Sequence, residues 1–133
     1  MVLFFKKNCK KSAHCGFKTG VFMKYCMVIV TFADEAEADR IISVLLEDRL
    51  IACAQLQEIK SRYIWKGGQI RDTEVLAFLK TRAGLYETVE ARIRELHSYE
   101  VPEIICVPVD KGLPEYLAWI DENTDDGKDG NLK

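Results

Sequence analysis

The stretch LIACAQLQEIKSRYIWKGGQIRDTEVLAFLKTR, residues 50–82, decides the fold. From Leu50 to Lys66 it reads as one long strand through Ile51, Cys53, Ile59, Tyr63 and Trp65, rich in β-branched and aromatic side chains. Gly67 and Gly68 then supply the positive φ angles of a tight hairpin, and Gln69 to Arg82 returns as the antiparallel partner. A strand of about 17 residues at ~3.3 Å per residue reaches roughly 55 Å. A compact domain of this size has a radius of gyration of only about 13–14 Å, so one end of the hairpin leaves the body or bends sharply. A lone two-stranded ribbon is marginal in water. Its arms are apolar as well: Tyr63, Ile64 and Trp65 face a return arm that continues into Val75, Leu76, Ala77, Phe78 and Leu79. The ribbon therefore calls for a second copy of the same chain, in a head-to-tail ring or a swapped dimer. Tyr63 and Trp65, with Trp119 further along, are the expected interface residues.

Working outward, Cys26 to Phe32 is a continuous β-favouring run, as for a strand covered on both faces. Asp34 stands at an N-cap with Glu37 three residues on, and Ala38, Ile41, Ile42 and Leu45 recur at helical spacing up to Glu47. A second helix runs from Gly84 with Leu85, Val89, Ile93 and Leu96 on one face, and ends near His97-Ser98-Tyr99 ahead of Pro102. Glu103 to Val109 is a fourth strand, which Pro108 assigns to an edge or a bulge. Pro114 opens a short helix carrying Tyr116, Leu117, Trp119 and Ile120. The order β-α-β-β-α-β plus one helix is the split βαβ, or ferredoxin-like, α+β arrangement.

Three regions are expected: an extension over residues 1–22, a core over 23–123, and a flexible acidic tail over 124–133. The first 22 residues hold five lysines, and no acidic residue precedes Asp34. Val2 to Phe5 precede those lysines, the wrong order for a secretory signal. The segment reads first as an upstream or disordered extension, with Met23 as the alternative start, and second as an organelle-targeting segment. The net charge of −2 for the whole chain and the lack of a basic block beside aromatics within the core exclude a nucleic-acid footprint. The apolar runs are strand-sized, far below the ~20 residues of a membrane helix. Five cysteines without paired spacing point to a reducing compartment, hence the cytoplasm, and Cys53 and Cys106 read as buried small hydrophobes.

The segments Leu50-Ile51-Ala52-Cys53-Ala54, Tyr63-Ile64-Trp65-Lys66-Gly67, Asp72 and Glu74, Lys80-Thr81, His97 through Ile104, and Tyr116-Leu117-Ala118-Trp119 together resemble the CutA family, in the right order over about residues 26–122. The resemblance implies a ferredoxin-like protomer, a homotrimer built through the long hairpins, architectural similarity to PII signalling proteins, and a role in tolerance of divalent cations, copper especially. Members described as copper-binding tend to carry a cysteine late in the first strand and a doubled histidine before the turn. Here those positions are Val30 and Leu96, and only His97 remains. Ser98 replaces a usual proline, and Gln55 stands where Asn is common.

His97 is the sole histidine of the core, and with Glu100 nearby it is the candidate ligand for copper or another divalent ion, with water, Glu103 or a neighbouring subunit completing the set. The bland alternative is that His97 and Tyr99 cap the second helix and lock the following turn. Trp65, Glu74, Lys80, His97, Tyr99 and Glu100 form a second constellation, which hairpin exchange would gather into an inter-subunit cleft for a small anionic or zwitterionic ligand. Cys9, His14 and Cys15 lack a Cys-x-x-Cys spacing and lie in the extension. No Ser or Cys nucleophile has a recognisable base, and Gly67-Gly68 lacks the Lys-Ser/Thr of a phosphate loop, so no catalytic residue and no obligatory cofactor are expected. The function so read is a non-enzymatic trimer of divalent-cation tolerance, with a PII-like, metabolite-binding regulatory trimer as the alternative.

Overall fold

The structure, a computed structural model, describes residues 23–125; the expected extension, and the tail beyond Asp125, lie outside the described residues. The elements are β1 (Tyr25–Phe32), α1 (Glu35–Glu47), β2 (Cys53–Trp65), β3 (Gly68–Arg82), α2 (Tyr86–Leu96), β4 (Ile104–Val109) and α3 (Pro114–Glu122). They form one antiparallel sheet in the order β2-β3-β1-β4. This is the expected split βαβ arrangement, and β4 is an edge strand, where Pro108 can lack its N–H without breaking a ladder.

Alternation sorts β1 by face. Cys26, Val28, Val30 and Phe32 point into the core with Val75, Ala77 and Leu79 of β3. Ala38, Ile41, Ile42 and Leu45 of α1 and Val89 and Ile93 of α2 cover that side. Asp34 caps α1, its side chain accepting from the Glu37 N–H at 2.8 Å. The opposite side carries Met27 and Ile29 in register with Lys80 and Phe78, and Ile105 beside Ile29. Among the described residues only α3 packs there: the Tyr25 hydroxyl donates to Asp121 at 2.5 Å, and Ile120 is buried. The rest of that face is half-buried or open, with Ile105 49% exposed.

The ordered body extends past the expected boundary at 123. Thr124 is buried and accepts from the Arg82 guanidinium at 2.7 Å, and the Asp125 N–H donates to the Arg49 carbonyl. A 3₁₀ turn, Ala83–Leu85, precedes α2, so that helix begins two residues later than its Gly84 signal suggested. The β2 strand starts at Cys53 rather than Leu50, because Arg49 takes a left-handed φ of 57° to bring the chain back toward β3.

The hairpin is long, as expected, but its turn is displaced by one residue. Lys66 (φ 50°) and Gly67 (φ 81°) are the two central residues, and Gly68 is already paired with Trp65. Positive φ at both central positions is the type I′ geometry, whose twist matches that of the flanking strands. A Cβ on Gly67 would meet nothing within 4 Å, so side-chain crowding plays no part there. The strain falls on Lys66, whose Cβ disfavours the left-handed region by roughly 1 kcal/mol. Lys66→Asn should therefore stabilise the hairpin by about 0.5–1 kcal/mol, while Gly67→Ala should cost about 1 kcal/mol. Thermal unfolding of both variants checks this through shifts of a few degrees in opposite directions.

Candidate functional site

Residues Val75 to Arg82 of β3 are paired on both sides, to β2 and to β1. From Glu74 back to Gly68, β3 has only β2, so the ribbon from Ile59↔Glu74 to Trp65↔Gly68 runs roughly 23 Å beyond the body at ~3.3 Å per residue. Cα partners across an antiparallel ladder share a face, which puts Ile59, Ser61, Tyr63 and Trp65 on the side of Glu74 and Asp72. At its root this side meets the loop after α2. Between them lies a cleft of about 560 Å³, lined by Tyr63, Trp65, Glu74, Tyr99, Glu100 and Glu103 among others, with Arg62 at its wall. Glu100 also borders a second hollow of about 380 Å³ with Arg94 and Pro102.

The cleft is acidic and its acids are coupled. Glu74 is only 5% exposed and accepts from the Tyr99 hydroxyl at 2.8 Å. Burial, and then the bond to Glu74, push the Tyr99 phenol far above its ordinary range. Burial also raises the Glu103 carboxyl, and the charge on Glu74 adds to the rise. Tyr63 donates to Asp72 at 2.7 Å across the ribbon, which fixes its ring beside the cleft. Such a lining suits a cation or an amine-bearing molecule that spreads over carboxylates and aromatic faces.

Four of the six expected cleft residues come together here: Trp65, Glu74, Tyr99 and Glu100. Lys80 does not. It lies six residues along β3 from Glu74, about 20 Å at strand spacing, and its ammonium donates to Gln55 Oε1. His97 does not line the cleft either, because its ring is fully buried beneath it. Nε2 bonds the Thr31 carbonyl at 2.8 Å, Nδ1 accepts the Tyr99 N–H at 3.0 Å, and the ring stacks on Phe32 at 5.3 Å. The capping alternative describes this geometry. Both nitrogens are used, so the expected His97–Glu100 ligand pair is not formed, and among the described residues no three His, Cys, Asp or Glu side chains are grouped to hold an ion. As held here, the His97 ring has no free nitrogen for a metal ion. Arg62, Ser61 and Thr31 were not expected in the cleft; extending the hairpin's alternation from Tyr63 to Ser61 would have found one of them.

Glu37 holds the loop in place. Its Oε1 accepts from the Ala33 N–H at 3.1 Å and its Oε2 from the Ser98 N–H at 2.9 Å, tying the start of α1 to the end of α2. Burial alone would raise this carboxyl, but the Ser98 hydroxyl, the two N–H groups and His97 outweigh it and hold it below the usual carboxylate range.

With this geometry in hand, comparison with known proteins is informative. Residues 26–123 match the family described as CutA1 divalent ion tolerance protein. The chain belongs to that family. The divalent-cation tolerance protein CutA of Pyrococcus horikoshii is 46% identical over 98 residues, 74% of this chain and 96% of that protein. The Thermus thermophilus protein of the same name is 37% identical over 99 residues, again 74% and 96%. The structure of the periplasmic divalent cation tolerance protein CutA from Archaeoglobus fulgidus superposes with a TM-score of 0.75 at 36% identity, covering 76% of this chain and 99% of that one. Among the described residues no helix is long and apolar enough to cross a membrane.

The loop after α2 thus depends on one buried carboxylate, Glu37. The folded-state pKa of Glu37 lies below its unfolded value, so its stabilisation is complete above the unfolded pKa and is lost as pH falls through the folded one. Glu37→Gln should cost about 1–3 kcal/mol at pH 7. The gap from wild type should close below about pH 4, as denaturant unfolding across a pH series will show.

Proposed function

We propose that this CutA1-family chain acts as a homotrimer in divalent-cation tolerance, without enzymatic turnover, and that its working cleft is completed between copies. The observation that carries the reading is the hairpin. A thirteen-residue edge strand, β2, has an unpaired backbone ladder along its whole length among the described residues, and it bears Leu56, Tyr63, Ile64 and Trp65 exposed. A second copy would satisfy that edge and cover the bare sheet face around Ile105. Trp119, 39% exposed and stacked on Tyr116 at 5.6 Å, lies on the same side through α3 and serves as the third interface anchor.

Divalent cations, copper included, engage the assembled protein weakly through Glu100 and Glu103 at the cleft mouth, with His97 acting as the lock beneath them. Carboxylates suit such labile binding, and the upward-shifted Glu103 makes it weaken as pH falls, when protons compete for the same oxygens. The cysteine pattern favours the cytoplasm for this role. A second reading, a PII-like regulatory trimer taking a small metabolite, is favoured by the aromatic lining of Tyr63, Trp65 and Tyr99. Quenching of Trp fluorescence by nucleotides or amino acids that disappears in Trp65→Phe would support it over the cation reading.

Sedimentation equilibrium should give three times the 15.2 kDa chain mass; a stable single-chain species would remove the proposal. Calorimetric titration of the trimer with Cu²⁺ should show Glu100→Gln and Glu103→Gln each weakening binding by about tenfold, or ~1.4 kcal/mol. His97→Gln variants that remain trimeric should bind within about twofold of wild type, since the ring has no free nitrogen to lose. Copper affinity lost with His97 alone would return the site to the imidazole.

A further inference from the structure

The helix-facing side of the sheet holds a feature that the cleft does not use. Val28 is paired with Cys106 and Cys26 with Pro108, so Cys26 and Cys106 are diagonal neighbours on adjacent strands, one on the central strand β1 and the other on the edge strand β4. Both side chains lie on the core face of the sheet, and the two thiols perturb one another's ionisation. Cys26 is fully buried and its Sγ also points to the Arg82 carbonyl at 3.9 Å, whereas Cys106 is half-buried against the core. The remaining cysteine among the described residues, Cys53, pairs with Lys80 and so faces the other side of the sheet.

We propose that Cys26 and Cys106 form a reversible disulfide that ties β4 to β1 when the protein meets a peroxide. Cys106 is the attacking thiol, since it alone has access from the surface. Its interaction with Cys26 favours the Cys106 thiolate, more than burial and Glu87 oppose it. For Cys26, the same contact and then burial push the thiol far upward. The Cys106 thiolate attacks one oxygen of hydrogen peroxide and breaks the O–O bond. The product is a Cys106 sulfenic acid, and the hydroxide released takes a proton to become water. Cys26 then attacks the sulfenic sulfur and forms the S–S bond; the hydroxyl leaves with the Cys26 proton as a second water. Two cysteine sulfurs are oxidised by two electrons in all, and one peroxide is reduced to two waters.

Diagonal strand neighbours, about 7–8 Å apart, lie just beyond the separation a disulfide spans, so closure needs β4 to shift along β1. That strand is free to do so, being paired on one side only and lacking an N–H at Pro108. A dithiol reductant reverses the step, so in a reducing compartment the bridge is transient.

The full chain, purified reduced, is treated with equimolar hydrogen peroxide, alkylated in denaturant and digested without reduction. The expected product is a single crosslinked species joining the Cys26 and Cys106 peptides, two mass units below their sum and abolished by dithiothreitol. In Cys106→Ser, Cys26 should remain fully alkylatable. In Cys26→Ser, Cys106 should stop at the sulfenic acid, trapped by dimedone, or proceed to the sulfinic acid. A Cys26 that stays alkylatable in the oxidised wild-type protein, or a Cys106 found bridged to Cys53, overturns the proposal. Should either serine variant fail to fold, the wild-type crosslink decides alone.

Discussion

The architecture depends on a difference in how the two halves of β3 are paired. From Val75 to Arg82 it is the second central strand of the sheet, with β1 on one side and β2 on the other. From Gly68 to Glu74 the same strand has lost β1, because β1 ends at Phe32 opposite Val75. The ladder continues without a floor. The apolar and aromatic residues along that continuation, and the row of unpaired N–H and C=O groups on β2, have no partner within the protomer that the described residues show. The cleft lies at the point where one regime passes into the other, since Glu74 is the last residue before the body and the loop after α2 meets it there.

A second constraint holds that loop. Glu37 reaches from the first turn of α1 to the Ser98 N–H, and His97 reaches from the end of α2 to the Thr31 carbonyl, so the loop is pinned once to α1 and once to β1. Tyr99, positioned by its N–H on His97 Nδ1, carries the constraint into the cleft through its hydroxyl on Glu74. The imidazole, the carboxylate and the phenol are thus one hydrogen-bonded chain from core to cleft wall. Each buried polar group in it has a partner, which is the condition for such a chain to rigidify the site instead of weakening it.

Much of this could be read from residue types. The core stripes of α1 and α2, the Asp34 cap, the edge position of β4 and the length of the hairpin follow from periodicity, capping chemistry and the missing N–H of proline. The turn was misplaced by one residue because Lys66-Gly67-Gly68 offers two glycines, and local sequence does not say which two positions the register will centre. Lys80 stands apart from the cleft within one protomer: residue type marks it as a ligand group, but a strand carries it about 20 Å from Glu74. His97 is the instructive case, since its partner Thr31 is sixty-six residues away in sequence and nothing local announces it.

That burial bears directly on how a divalent-cation tolerance family can include a chain whose one core imidazole is occupied. Pulling His97 out to meet an ion would break two hydrogen bonds and a ring stack, and would leave the Thr31 carbonyl and the Tyr99 N–H without their partners in a half-dry site. Each lost bond costs about 1–3 kcal/mol, which a weak, exchangeable ligand bond does not offset. The carboxylates at the cleft mouth carry no such obligation. Glu100 is exposed, and Glu103 is held close enough to Glu74 for their charges to repel, so a cation arriving there relieves an existing strain instead of creating one. The carboxylates at the cleft mouth are therefore the groups open to a cation, and the histidine beneath keeps the cleft in shape.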